Sequence, residues 1–279
     1  MSIAGEPASA LERGQSIHCD TIQMFTRNAN RWRSRALTAQ EIENFRRARE
    51  RTGIHPIVAH SSYLINLASP EEELWLKSLD AAITEMRRCA QLGIVDYVLH
   101  PGSHRGAGEE VGLRRIAEGL TRALEAMADA EVIVLLETTA GQGDGIGCRF
   151  EHLAWLLEHI QPTERVGVCF DTAHVLAAGY EYRQPESYAN MWQQFGRIIG
   201  MARLRAIHLN DSKRDLGSQV DRHEQIGRGY VGLEAFRLLL NDPALRHIPM
   251  ILETPKGPDM AEDIANLALL RSLLQERPS

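Results

Sequence analysis

The chain has 279 residues, 44% of them hydrophobic and 24% charged, which is enough for one sizeable core. A formal net charge of −6 and a pI of about 6.0 exclude a wholly basic nucleic-acid binder, so any contact with a polyanion must be local. Cys19, Cys89, Cys148 and Cys169 lack a CxxC pair or paired spacing, which suits a reducing compartment better than a disulfide framework. With no apolar run approaching a membrane span and no signal-like start, the expectation is a soluble protein of the cytoplasm with no membrane partner.

The opening Ser2-Ile3-Ala4-Gly5-Glu6-Pro7 reads as a loop and residues 8–15 as a helix. Short apolar runs rich in β-branched residues then alternate with longer amphipathic stretches to the end of the chain. The runs are 21–25, 54–59, 95–99, 132–136, 166–170, 204–208 and 248–252. Helix-period segments fill the spaces at 39–51, 70–92, 109–128, 150–159, 185–200, 233–240 and 261–275. The second of these opens with Ser69-Pro70-Glu71-Glu72-Glu73, a cap, a proline suited to the first helical position and acidic residues that match the helix dipole. Strands apolar on both faces, alternating with helices, belong to a parallel sheet buried between a barrel interior and a helical coat. The expected fold is therefore α/β, a TIM-type (β/α)8 barrel forming a single domain over residues 1–279. On this reading its first strand is missing or shortened, because only seven runs are present.

Six of those runs end within a residue or so of a metal-type ligand: His60, His100, Glu137, Asp171, His208 and Glu253. Barrel strands all point the same way, so these ends meet on one rim. Three more candidates lie in loops that leave the rim. His174 follows Asp171 by three residues, and Asp221 and His223 lie two apart, a spacing that puts both side chains on one side of an extended loop. A lone His at such a place is more often a hydrogen-bonded or capping group, and His18, His55, His152, His159 and His247 are read that way. The joint pattern points to metal.

Glu137, Asp171, Asp221 and Glu253 around one mouth repel each other and any anion unless two or three divalent cations sit among them. Ions so placed attract a phosphodiester, polarise its oxygens and generate a hydroxide at neutral pH, so the residues point to a metal-dependent phosphodiesterase. Imidazole and carboxylate without thiolate favour zinc, with manganese or iron as alternatives. Two weaker signals accompany the ligands. The stretches Thr138-Thr139-Ala140-Gly141-Gln142-Gly143 and Gly227-Arg228-Gly229-Tyr230 are able to bring backbone N–H groups to phosphates, or are plain turns. Arg27, Arg31, Arg33 and Arg35 surround Trp32, an alternation that suits a loop tracking a nucleic-acid backbone or, equally, a solvated loop with Trp32 packed inward.

At this point the motifs resemble one family, endonuclease IV, the family-2 apurinic/apyrimidinic endonucleases. The resemblance rests on His60-Ser61-Ser62-Tyr63-Leu64-Ile65-Asn66-Leu67, His100-Pro101-Gly102-Ser103-His104, Glu137 through Gly143, and Phe170-Asp171-Thr172-Ala173-His174. It continues through His208-Leu209-Asn210-Asp211-Ser212-Lys213, Asp221-Arg222-His223-Glu224-Gln225-Ile226-Gly227 and Leu252-Glu253-Thr254-Pro255, so it covers nearly the whole chain in order. It implies three zinc ions: the first on His60, His100 and Glu137, the second on Glu137, Asp171, His208 and Glu253, the third on His174, Asp221 and His223. It also implies hydrolysis of double-stranded DNA on the 5′ side of an abasic site, leaving a 3′-hydroxyl and a 5′-deoxyribose phosphate, with removal of 3′ blocking groups as a second activity. Glu253 or Glu137 would accept the proton, and the abasic nucleotide would turn out of the helix into the metal pocket. By the same resemblance Tyr63 enters the minor groove, and the loop of Asn30, Arg31 and Trp32 is the other DNA-contacting element. Here the chain departs from the family, which usually places Arg where Asn30 stands.

No obligate protein partner is evident, and a monomer is expected. Two other readings compete. Sugar isomerases and epimerases use related barrels with divalent ions at the rim, and a damage-binding protein without turnover would share the DNA surface. The pair Asp221 and His223 together with His174 separates the first from the endonuclease reading, and an intact set of nine ligands argues against the second.

Overall fold

The computed structural model describes residues 1–275; the last four residues of the expected domain, 276–279, lie outside the described residues. The described residues contain eleven strands: β1 (Ile22–Phe25), β2 (Ile57–His60), β3 (Asp96–Leu99), β4 (Gly102–Ser103), β5 (Ile133–Glu137), β6 (Gly145–Ile146), β7 (Val166–Asp171), β8 (Leu204–His208), β9 (Asp211–Ser212), β10 (His223–Glu224) and β11 (Met250–Ile251). The α-helices among the described residues are α1 (Ala8–Ser16), α2 (Ala39–Thr52), α3 (Glu72–Leu92), α4 (Glu109–Glu125), α5 (Phe150–His159), α6 (Thr172–Ala177), α7 (Pro185–Ile198), α8 (Leu233–Asn241) and α9 (Ala261–Ser272).

Seven of the strands form one sheet in the order β1-β2-β3-β5-β7-β8-β11, every neighbouring pair parallel. With helices on the outside this is the α/β barrel expected, nearly closed, with β1 and β11 as its two edges among the described residues. The seven expected runs correspond to its seven strands. Boundaries move where the backbone chemistry demands it. The second strand begins at Ile57 rather than 54 because Pro56 has no N–H to give the ladder. Helix α3 begins at Glu72, two residues after Pro70, since Ser69 Oγ accepts from Glu71 N–H (3.1 Å) and turns the chain before the first helical residue.

Side chains on a strand alternate between faces, and this period places the site. Val58, Val98, Leu135, Cys169, Ala206 and Ile251, one from each of β2, β3, β5, β7, β8 and β11, pack together as a plug inside the barrel. Two residues further along each chain stand His60, His100, Glu137, Asp171, His208 and Glu253. The ligand-type residues are thus the next inward layer above an apolar floor. On β1 the pattern differs: Gln23 pairs in register with Val58, and Phe25 with His60, so this strand contributes an amide at the level of the apolar floor and a ring at the level of the ligand-type residues. A larger core, including Phe45, Trp192, Phe195 and Phe236, fills the space between the sheet and the helices.

Above the rim, two short antiparallel ribbons that the sequence did not predict stiffen the loops. β4 pairs with β6, and β9 with β10 in the register His223 to Ser212 and Glu224 to Asp211.

Candidate metal centre

Glu137 ends β5 at the centre of the mouth and is completely buried. Its Oε2 lies 3.1 Å from His60 Nε2 and 3.0 Å from His100 Nε2, and its Oε1 3.0 Å from His208 Nδ1 and 3.3 Å from His174 Nδ1. Four imidazoles from four segments therefore share one carboxylate. Asp171 and His208 are register partners on β7 and β8, with Asp171 Oδ2 3.8 Å from His208 Nδ1, and Glu253 Oε2 approaches the same nitrogen to 3.1 Å.

The donor atoms fall into three groups, each within a sphere suited to a metal ion: His60, His100 and Glu137; Glu137, Asp171, His208 and Glu253; and Asp171, His174 and His223. All nine expected ligands meet in this mouth. The third group draws in Asp171, assigned from the resemblance to the second ion alone, while Asp221 Oδ1 closes on the same two imidazoles at 3.2 Å from His174 Nε2 and 3.7 Å from His223 Nε2. Both of those nitrogens are buried and make no hydrogen bond despite the nearby oxygen. Ring nitrogens that converge on a carboxylate without hydrogen bonding to it are what a cation-binding cluster requires, and the nitrogen and oxygen donors suit zinc. Cys169 is the nearest thiol, in the floor of the mouth, but burial pushes it up to about 12, so it is no thiolate at neutral pH.

Electrostatics of the cage follow from its composition. Burial disfavours the Glu137 carboxylate, yet His100 and His208 beside it hold it well below the usual range. Glu253 behaves alike: burial raises it and His208 more than compensates. On the other side, burial opposes a charged His174 and a charged His208, but Asp171 raises the first, and Cys169, Glu253 and Glu137 raise the second. Imidazolium against carboxylate is the pairing that a divalent cation replaces, since metal binding takes neutral imidazole and releases its proton.

Several residues that sequence reasoning passed over orient the ligands. Gln23 reaches in from β1, its amide Nε2 donating to Glu253 Oε1 (2.5 Å) and its Oε1 lying 2.7 Å from His208 Nε2. Asn210 donates to Asp171 Oδ2 (2.6 Å) and accepts from Glu253 N–H (2.8 Å). The Thr138 hydroxyl accepts from Asp171 N–H (2.8 Å), and its carbonyl lies 2.8 Å from His174 Nδ1. Asn210 and Thr138 lie inside the quoted motifs, so position next to a ligand was the available signal; for Gln23 only its inward register reveals the role.

Asp211 is buried, and both oxygens of its carboxylate brace the segment that follows Asp221 and His223. Oδ1 accepts from Ser212 and Val231 N–H (2.8 and 2.9 Å), Oδ2 from Gly227 and Gly229 N–H (2.8 and 3.0 Å). A Cβ at Gly229 would sit 2.3 Å from the Ser212 carbonyl and 2.5 Å from Asp211 Oδ1, so only glycine fits. This corrects one expectation: the N–H groups of Gly227 and Gly229 serve the protein's own carboxylate and are not free for a phosphate. Gln142, from the other glycine-rich stretch, accepts from Asp221 N–H (3.0 Å) and ties the two loops together.

Tyr63 is 67% exposed and stands beside the cage, its ring edge-on to Phe25 at 5.4 Å. It lines two recesses, one of about 300 Å³ with Asn66, His100, Gln142 and Asp221, the other of about 160 Å³ with Gln23, His60 and Glu253. Asn30 and Arg31 are exposed at the tip of their loop, and Trp32 is half-buried against the core beneath the ammonium of Lys77, 4.8 Å from its ring centre. The arginine cluster around Trp32 is smaller than expected. Arg27 is buried in an ion pair with Glu85 (2.7 Å), and Arg35 pairs with Glu41, so Arg31 and Arg33 remain as the outward cations.

Residues 11–273 match the family described as xylose isomerase-like TIM barrel. The chain is 52% identical over 275 residues to a probable endonuclease 4 of Chloroflexus aurantiacus, covering 99% of this chain and 96% of that one. Among solved structures, endonuclease IV from Thermus thermophilus superposes with a TM-score of 0.86 at 39% identity over 98% of this chain and 96% of that one. A D-tagatose 3-epimerase-like protein superposes with a TM-score of 0.74 at 17% identity over 98% and 95%, a likeness of fold alone. No helix among the described residues is long and apolar enough to cross a membrane.

Proposed function

The chain belongs to the endonuclease 4 family and is a hydrolase of the nuclease type, and from that premise we propose that it hydrolyses the phosphodiester on the 5′ side of abasic sites in double-stranded DNA. The products are a 3′-hydroxyl and a 5′-deoxyribose phosphate, and the same site clears 3′ blocking groups. The observation that carries this reading is the convergence of nine ligand-type side chains around one buried carboxylate, Glu137, in a chain that matches the family from end to end.

His60, His100 and Glu137 would hold one ion, Glu137, Asp171, His208 and Glu253 a second, and His174, Asp221 and His223, with Asp171 adjoining, a third. When bound, zinc ions supply Lewis-acid polarisation of the phosphodiester and lower the pKa of water. The protein's own residues divide the remaining work. Both oxygens of Glu137 are engaged by imidazoles inside the protein, which suits a bridging holder. Glu253 keeps 23% of its side chain exposed and is held below the usual carboxylate range against the pull of burial, so it is an unprotonated acceptor facing the recess. Its Oε2 takes the proton of the attacking water, while Gln23 fixes Oε1. Tyr63 fills the gap left in the base stack when the abasic nucleotide turns outward, which costs least where a base is already absent. The protein works as a monomer and as a single domain over residues 1–279, in the cytoplasm.

The test is a duplex carrying one abasic site. Nicking 5′ to the lesion that a chelator slows and zinc restores is expected, with two or three zinc ions per chain in the purified protein. A protein that holds fewer than two ions and leaves the duplex whole sinks the reading.

A further inference from the structure

The loop bearing Asn30, Arg31 and Trp32 and the turn bearing Tyr63 are separated by a strand and a helix in sequence, yet one buried ion pair grips both. Glu85 and Arg27 are 1% and 3% exposed. Arg27 donates through Nε to Glu85 Oε1 (2.7 Å), through Nη2 to Ser62 Oγ (3.1 Å) and through Nη1 to the carbonyl of Arg31, the residue next to Trp32. Glu85 Oε2 accepts from Ser62 N–H (3.1 Å), next to Tyr63, and from the Tyr97 hydroxyl (2.7 Å). One turn along α3, Arg88 donates to the carbonyls of Thr26 (2.7 Å) and Arg35 (2.9 Å), the two ends of the first loop.

A buried ion pair is weak evidence for stability, because apolar residues of similar volume often serve as well or better. What such a pair provides is directional geometry, and here every bond of the Arg27 guanidinium and the Glu85 carboxylate runs to one of the two loops, to its partner, or to a barrel tyrosine.

We propose that Arg27 and Glu85 are positioning residues that set the 28–35 loop and the Tyr63 turn at a fixed separation, so that both engage a damaged duplex together. This rests on the reading of abasic DNA as substrate. The pair touches none of the nine ligands, so its effect falls on DNA engagement and not on the ions.

Two measurements test it. Hydrogen–deuterium exchange of Arg27→Met combined with Glu85→Gln reads the coupling without any substrate: residues 28–35 and 61–66 are expected to lose protection together while the segments around Glu137, Asp171 and His208 stay unchanged. Loosening confined to 28–35 overturns the proposal. For function, Arg27→Met combined with Glu85→Gln removes both charges and leaves an amide for Ser62 N–H and Tyr97, so the fold is retained where a single variant with an unpaired buried charge fails. On the abasic duplex this double variant is expected to raise KM by about 10-fold, with kcat within about 2-fold of wild type and the zinc content unchanged, and Arg27→Lys to recover part of the loss. A wild-type KM, or a parallel fall of kcat and zinc, overturns the proposal. If wild-type protein leaves the duplex whole, the substrate reading fails, and the exchange experiment still decides the coupling.

Discussion

Of the nine proposed ligands, Glu137, Asp171 and His208 close barrel strands and have fully buried side chains, whereas Asp221 in a loop and His223 on the short ribbon strand β10 keep 43% and 16% of theirs exposed. The inner ligands are placed by the sheet itself: parallel pairing fixes their height, and the plug of Val58, Val98, Leu135, Cys169, Ala206 and Ile251 fixes the floor they stand on. The outer pair has no barrel strand beneath it, only the two-residue ribbon of β10 on β9 under His223. Their loop is held by the Asp211 carboxylate, a glycine that no other residue replaces, and the Gln142 side chain. An identical kind of ligand is thus bought by rigid topology in one place and by a handful of polar contacts in the other, and the two regions should fail in different ways.

The largest effect is expected at the centre. Glu137→Gln leaves four imidazoles around a neutral amide, so zinc content should fall below two per chain and nicking by on the order of 10⁴-fold, as for a unit whose members act together. Elemental analysis beside a nicking assay checks both. Asp221→Asn serves as the contrast, expected to release one ion only. Equal zinc loss in the two variants would mean that inner and outer ligands form a single cooperative unit, and the comparison would collapse.

Glu253→Gln comes next. Glu253 belongs to the inner set yet faces the recess, and Gln preserves its shape and the contact to Gln23. Binding to an uncleaved abasic duplex should persist while kcat falls by roughly 10²–10⁴-fold, the range for loss of a general base. A KM defect with unaltered kcat would assign the carboxylate to substrate binding instead.

The inner set was also the legible part of the sequence. A period of two along each strand and a common strand direction are enough to foresee that His60, His100, Glu137, Asp171, His208 and Glu253 meet, because sequence position alone fixes their layer. The supporting contacts were not legible, since a hydrogen bond between residues far apart in the chain leaves no local mark. Gln23 reads as one polar residue in an apolar run, and Arg27 as one member of a surface cluster until Glu85 is seen to bury it. Gly227 and Gly229 carried the right signal for a close approach to an anion, and the anion proved to be Asp211 of the same chain.

Asp211→Asn probes the outer region through its support. Asparagine keeps one oxygen of the two, so two of the four N–H bonds that Asp211 accepts, three of them from the 227–231 segment and one from Ser212, lose their acceptor. The expectation is loss of about one zinc per chain and a fall in nicking of roughly 10–100-fold, the usual cost of removing a group that orients ligands. Gly229→Ala should reproduce this loss, since its Cβ drives into the Ser212 carbonyl. Unaltered zinc in both variants would show that the outer ligands hold their places without the loop's polar contacts.

Tyr63→Ala should give the smallest effect and the most selective. The ring is 67% exposed, edge-on to Phe25 and tilted against His60 at 6.1 Å, so its removal should leave Tm nearly unmoved and the zinc content intact. If it fills the base stack, it is worth about 1–3 kcal/mol to a bound duplex, which a titration reads as a loss of roughly 10-fold in affinity for abasic DNA. Undamaged duplex, which offers no gap to fill, should bind as before. Tyr63→Phe keeps the stacking face and should behave as wild type. An equal loss on both duplexes would make Tyr63 a general contact, and the sensing of damage would then lie with the neighbouring exposed tip of Asn30 and Arg31.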